Sequence, residues 1–223
     1  MAYNHRWCES GESIGFPLGK VVCVGRNYAA HAEELGNPIP DEPVLFIKPG
    51  SCSVSAEGDV LLRTDLGVIH YEAELAVLIG KPLSQADEKQ AKEAIAGLGI
   101  GLDLTLREVQ STLKQKQLPW ERAKAFDGSC VLSGFVPVWP DINYARLNYS
   151  LNINGIRKQT GQTEMMLYPV LSLIAHISQT FSLQPGDVVL TGTPEGVGII
   201  SAGDRFELAL EGKILATGCC ISA

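Results

Sequence analysis

Residues 70–80 read HYEAELAVLIG. From Leu75 to Ile79 every side chain is apolar, and a strand that is apolar on both faces has to be covered on both faces. Glu72 and Glu74 stand at the mouth of this run. In a strand they share a face, roughly 7 Å apart at ~3.3 Å rise per residue. Two like charges at the edge of a core repel each other and lose water, which is costly unless something positive sits between them. The segment therefore demands a strand buried on both sides and a source of positive charge at one end.

The 223 residues are 45% hydrophobic and 19% charged, enough for one sizeable core, so a single domain over 1–223 is expected, with its core at about 20–223 and an N-terminal extension at 1–19. A net charge of −7 without a basic tract argues against nucleic acid and anionic membranes. No apolar run is long enough to span a bilayer. The start, MAYNHRWCESGES, lacks a cationic stretch followed by an apolar one, so no signal peptide is read there. The six cysteines form no CxxC pair and no zinc spacing, which fits free thiols in a reducing cytoplasm.

Along the chain, KVVCVG (20–25) reads as a buried strand and RNYAAHAEELG (26–36) as a helix with a Gly stop. The Pro-rich 37–43 segment is a loop, and VLFIKPGSC a strand ended by Pro-Gly. Residues 84–99 read as an amphipathic helix with Ala91, Ala94, Ile95 and Leu98 inward. Residues 104–118 read as a second, with Thr105 and Glu108 in a capping-box pattern. Asn154-Gly155 and Glu211-Gly212 mark two hairpins, and Pro185-Gly186 stops an apolar helix. The sum is α+β and mainly β, without the regular alternation of a doubly wound sheet.

Several residues could carry chemistry. Glu72 and Glu74 are either a solvated strand end or two oxygen ligands of a metal. Asp103, where an apolar Gly-rich strand turns into the 104–118 helix, is either a helix N-cap or a third ligand; Thr105 already offers a cap. On a helix, Arg107 and Gln110 at i+4 and i+7 share its face. Three carboxylates without Cys or His are a hard-oxygen set, suited to Mg²⁺ or Mn²⁺ rather than zinc. Lys124, bracketed by Ala123, Ala125 and Phe126, can offset their charge and stabilise a developing enolate if its ammonium points inward. His31 and Glu34 at i and i+3 are either a solvated helix face or a dyad in which the carboxylate holds the imidazole to take a proton from water. The following loop reads as a lid. TGTPEGVG (191–198) lacks the ending of a phosphate loop, and its glycines and Thr193 suit close approach to a small anion.

Taken in order, VVCVGRNYAAHAEELG, PVLFIKPGS, HYEAELAVLIG, LDLTLREVQ, WERAKAFDGSC, LQPGDVVLTGTPEGVG and SAGD resemble the fumarylacetoacetate hydrolase family over about residues 20 to 206. The resemblance implies a mixed β-sandwich or β-roll with peripheral helices, and a homodimer. It implies a Mg²⁺ or Mn²⁺ held by Glu72, Glu74 and Asp103, with Lys124, Gln110, Arg107 and Thr193 at the family's lysine, glutamine, arginine and threonine. His31 and Glu34 match the His–Glu pair of the acylpyruvate-cleaving members. Arg26 and Tyr28 lie in the matching N-terminal motif as substrate-binding candidates. The chain departs from the family pattern at His70, Leu102 and Glu108, none of them in the ligand set.

The chemistry implied is enolate formation from a small 2-oxo acid carrying a 4-carbonyl group. Cleavage of C3–C4 follows if a ketone is attacked by water activated by His31 and Glu34, or if CO₂ leaves, as from oxaloacetate. The His31–Glu34 pair favours C3–C4 cleavage as the first expectation; the alternative, if nothing leaves, is an oxaloacetate keto–enol tautomerase or a related 2-hydroxy-diene-dioate isomerase using the same metal site. A reading of another class is a non-catalytic metal- or anion-binding module. The expected partner is a small-molecule 2-oxo acid, in the cytoplasm.

Overall fold

The structure is a computed structural model that describes residues 3–222; Met1 and Ala2, the start of the stretch in which no signal peptide is read, lie outside the described residues. Its architecture is mainly β, with five short α-helices around two larger sheets and one small one. The first sheet runs, from edge to edge, through Val44–Lys48, Val21–Gly25, Val188–Leu190, Ala73–Ile79, Ile95–Asp103, Cys130–Leu132 and Ser53–Ser55. The second runs through Ile156–Gln162, Asn148–Ile153, Arg205–Leu210, Lys213–Ser222 and Gly58–Leu62. Among the described residues, no helix is long and apolar enough to cross a membrane, and the six cysteines are free thiols.

Ala73–Ile79 lies at the centre of the first sheet and is buried throughout. Strand alternation sends Leu75, Val77 and Ile79 into the core shared with the second sheet, beside Leu151, Phe206 and Leu208. Ala76 and Leu78 point the other way, into a smaller cluster covered by Tyr3, Trp7, Ile14 and Phe16. The continuous apolar run is thus explained by two separate covers. Residues 3–19 supply one of them, so the N-terminal stretch packs as part of the core rather than hanging beside it. Both expected hairpin turns form, Asn154-Gly155 with φ of 53° and 74° and Glu211-Gly212 with 49° and 75°.

Four expectations need correction. The 70–80 strand is broken at Glu72: Ile69–Tyr71 belongs to the small sheet, pairing with Thr105–Leu106 and Gly198–Ile199. The 84–99 helix ends at Ala94, and Ile95 and Leu98 are buried as strand residues. Gly97, Gly99 and Gly101 explain the switch, for a Cβ at Gly101 would lie 2.6 Å from Leu190; alternate glycines let this strand sit close under its neighbours. The second helix is Arg107–Gln115, with no side-chain cap; Thr105 is in a strand and its hydroxyl donates to the Asp103 carbonyl. The capping box lies instead at Asp87 and Gln90. The first helix shrinks to Ala29–Glu34, because Asn27 is pinned by bonds to the Thr191 carbonyl and to both backbone groups of Tyr168.

Candidate active site

The break at Glu72 builds the site. The chain leaves the small sheet at Tyr71 and enters the large one at Ala73, so Glu72 stands at the junction. Register then sets Ala73 against Leu102 and Glu74 against Gly101, and the Asp103 N–H donates to the Glu72 carbonyl at 2.8 Å. Glu72, Glu74 and Asp103 are all buried, and one carboxylate oxygen from each lies within 4.8 Å of the others.

Cations face this cluster from three elements. Lys124, closing the short Glu121–Lys124 helix, places Nζ 2.7 Å from Glu72 Oε2 and 2.6 Å from Asp103 Oδ2. The same ammonium sits 5.2 Å from the centroid of the Phe46 ring. Arg107 donates to Glu72 Oε1 through Nη2 and to Gln110 Oε1 through Nη1, the latter at 2.8 Å. Lys48, fully buried, has its ammonium 2.9 Å from Asp103 Oδ1, yet it directs its protons to the carbonyls of Ser129, Leu104 and Lys124 and to the Ser129 hydroxyl. Asp103 Oδ1 is left without a hydrogen bond.

The electrostatics follow from these contacts. Burial would raise Glu72, but Lys124, Arg107 and His31 outweigh it and hold the carboxyl well below its usual range. Burial would lower Lys124, but Asp103 and Glu72 outweigh it and keep the ammonium charged. Glu74 has no ammonium against it. Burial first, then the charges of Asp103 and Glu72, push it well above the usual carboxylate range, although it accepts the Gly192 N–H at 2.6 Å. Gly192 can approach so closely because its φ is +96° and a Cβ there would lie 2.7 Å from Asn27.

These residues fit a divalent cation. The three carboxylates are hard oxygen donors, the buried Asp103 Oδ1 accepts no hydrogen bond and has only the Lys48 charge beside it, and Glu74 forms no ion pair among the described residues. Glu72, Glu74 and Asp103 would hold it.

The remaining candidates separate. His31 is buried, its Nδ1 3.2 Å from Glu34 Oε2, and it lines the same pocket as the carboxylates. Glu34 Oε1 accepts the Gly196 N–H at 3.0 Å, which ties the first helix to the 191–198 loop. Arg107, Gln110 and Arg26 also line the pocket. Arg107 and Gln110 share a helix face, but Asp103 meets them from a strand end, not from the helix face expected for it. Thr193 lines the pocket with its hydroxyl already engaged, donating to the Ala73 carbonyl at 2.9 Å and accepting from Gln159 at 2.8 Å. Tyr28 is not brought to the site: its ring is in the core and its hydroxyl lies 3.0 Å from that of Tyr149. Val24, Phe46 and Trp120 line this pocket beside the charged groups, with Asn37 in the same lining.

Sequence reasoning missed Lys48, Lys114, Asn37 and Trp120. Strand alternation gives a signal for Lys48, which shares a face with Phe46. For Lys114 the signal is helical, since it continues the face of Arg107 and Gln110.

Fold and site define a carboxylate-lined centre where the first sheet meets the small one, and the chain belongs to the fumarylacetoacetate (FAA) hydrolase family, whose C-terminal domain matches residues 20–220. Three similarities make this specific. Oxaloacetate tautomerase YcgM of Escherichia coli K12 is 46% identical over 218 residues, covering 97% of this chain and 99% of that one. A crystal structure from Yersinia pestis CO92, described as a protein of this family, superposes with a TM-score of 0.95 at 48% identity, over 98% of this chain and all of that one. Fumarylpyruvate hydrolase from Pseudomonas aeruginosa, in complex with Mn²⁺ and pyruvate, superposes with a TM-score of 0.90 at 32% identity, over 100% and 97%.

Proposed function

We propose that the chain catalyses keto–enol interconversion at C3 of a small 2-oxo acid, with oxaloacetate as substrate and Mg²⁺ or Mn²⁺ held by Glu72, Glu74 and Asp103. The observation that carries this reading is the Lys124 ammonium bridging Glu72 and Asp103 beside Asp103 Oδ1, which accepts no hydrogen bond. A bound divalent cation supplies Lewis acidity toward the 2-oxo acid. The side chains do the rest. Lys124, kept charged by its neighbours, cannot act as a base; it offers fixed positive charge to the oxyanion that develops at C2. Arg107 and Gln110, joined to each other, position the substrate. His31 spends Nδ1 on Glu34, which leaves Nε2 as the ring nitrogen to take the C3 proton. The C3–H electron pair becomes the C2=C3 bond, the keto oxygen takes the charge, and a proton delivered to oxygen or back to C3 gives enol or keto form. The E. coli relative named an oxaloacetate tautomerase, matched over nearly its whole length, supports this choice.

A second reading has the same enolate followed by C3–C4 cleavage, through oxaloacetate decarboxylation or acylpyruvate hydrolysis. Glu34 favours it, since by holding both His31 and Gly196 it could orient an imidazole toward water. In either case we place the protein in the cytoplasm as a homodimer, the latter checked by sedimentation. The test follows enol absorbance and pyruvate release together, on oxaloacetate and acetylpyruvate with Mg²⁺. Fast loss of the enol without pyruvate supports the tautomerase. Pyruvate release that stops with EDTA replaces it with the cleaving enzyme. No turnover of either, with a melting temperature that still depends on metal, leaves the non-catalytic metal-binding module.

A further inference from the structure

The cations of the pocket fall into two groups. Lys48, Lys124 and Arg107 face the oxygens of Glu72 and Asp103. Arg26 and Lys114 line the same pocket, half-buried, and neither forms an ion pair with a described carboxylate. Lys114 has only neutral contacts: it donates to Asn37 Oδ1 at 3.1 Å and stands 5.7 Å from the centroid of the Trp120 ring. Glu72 is the carboxylate that acts on it electrostatically, and Lys124 and Arg107 already hold Glu72. Burial, then Arg26 and Arg107, lower the Lys114 pKa, as befits a cation among cations. An anion placed between two such cations offsets both their repulsion and the water they have lost.

Their position says where that anion lies. Arg107, Gln110 and Lys114 follow at i, i+3 and i+7 on one helix face. Helical side chains lean toward the helix N-terminus, so Lys114, about two turns on, leans back toward the group that positions the substrate. Arg26 reaches the same pocket from the segment between the Val21–Gly25 strand and the first helix, near enough for its charge to act on Lys114.

We propose that Arg26 and Lys114 form a subsite for a second, distal carboxylate, so that the site selects 2-oxo dicarboxylate dianions over monoanionic 2-oxo acids. This rests on the reading of the centre as a 2-oxo acid site. The test is calorimetric titration of the Mn²⁺-loaded full chain with two probes: malate, which carries a distal carboxylate, and oxalate, which does not. Both bind the parent. Lys114→Met weakens malate roughly ten- to a hundred-fold, the loss expected for one charged hydrogen bond, and leaves oxalate unchanged. Lys114→Arg keeps most of the malate affinity. A parent that binds oxalate but not malate, or a Lys114→Met variant that weakens both probes equally or neither, overturns the subsite. A parent that fails to bind oxalate overturns the 2-oxo acid reading itself.

Discussion

Lys48 and Asp103 stand in ionic contact without sharing a hydrogen bond: Nζ is 2.9 Å from Oδ1, while the lysine's protons go to backbone carbonyls and the Ser129 hydroxyl. The lysine braces the backbone around Leu104, Lys124 and Ser129, and only its charge is offered to the carboxylate. Lys48→Met removes both. It is expected to cost about 3 kcal/mol or more, because buried carbonyls and a buried carboxylate lose their partner. Urea denaturation checks this; a variant within about 1 kcal/mol of the parent would show that the brace is dispensable.

The carboxylate cluster should bind cation in proportion to its charge. Mn²⁺ at about a hundred times its dissociation constant should stabilise the parent by ~2.7 kcal/mol, and EDTA should reverse this. Asp103→Asn and Glu72→Gln should stay folded, lose the Mn²⁺-dependent rise in melting temperature, and lose oxaloacetate turnover. If either variant kept both, the cluster would not be the metal centre.

Glu34 acts on two structures at once, so Glu34→Gln should be milder than His31→Ala. The amide can still meet one of the two donors, whereas the alanine leaves no proton carrier. Loss of a positioned acid–base group typically costs 10²–10⁴-fold in rate, and about that loss is expected for His31→Ala in solvent deuterium exchange at C3. Unchanged exchange would demote His31 to a wall residue.

His5 should make stability fall in mild acid. It is buried with Nε2 2.9 Å from the Gly186 carbonyl, and burial holds its pKa below 6.5 against the opposing pull of that bond and of Asp187. The unfolded chain therefore takes up the proton first as pH falls. Stability is full above about 6.5 and is lost as pH drops through the folded value. Melting temperatures of the parent and of His5→Gln between pH 8 and pH 5 check this. The variant should show the flatter profile, and identical slopes would exclude His5 as the source.

Much of this was legible in the chain because it is written in spacing. Glu72, Glu74, Asp103 and Lys124 are charged residues set against apolar neighbours in the sequence, and the structure brings them together. What escaped was written in packing. Helix 84–99 was over-extended because Ile95 and Leu98 keep a helical period, while the glycine alternation that makes them strand residues only matters beside Leu190 and Phe135. Tyr28 lies two residues from Arg26 in one motif, yet the turn between them sends one ring to the core and one guanidinium to the pocket. Lys48 ends the Val44–Lys48 strand, and nothing local shows that three carbonyls from distant segments converge on it.

That turn has a cost built into it. Arg26 has φ of 62°, a left-handed conformation that strains a side chain with a Cβ. Glycine would relax the backbone there. Selection for durability alone would therefore replace the arginine, and a library screened only for heat resistance should drift toward Arg26→Gly and lose ligand affinity as it does. The strained residue marks where this protein gives up robustness to keep a charge in place.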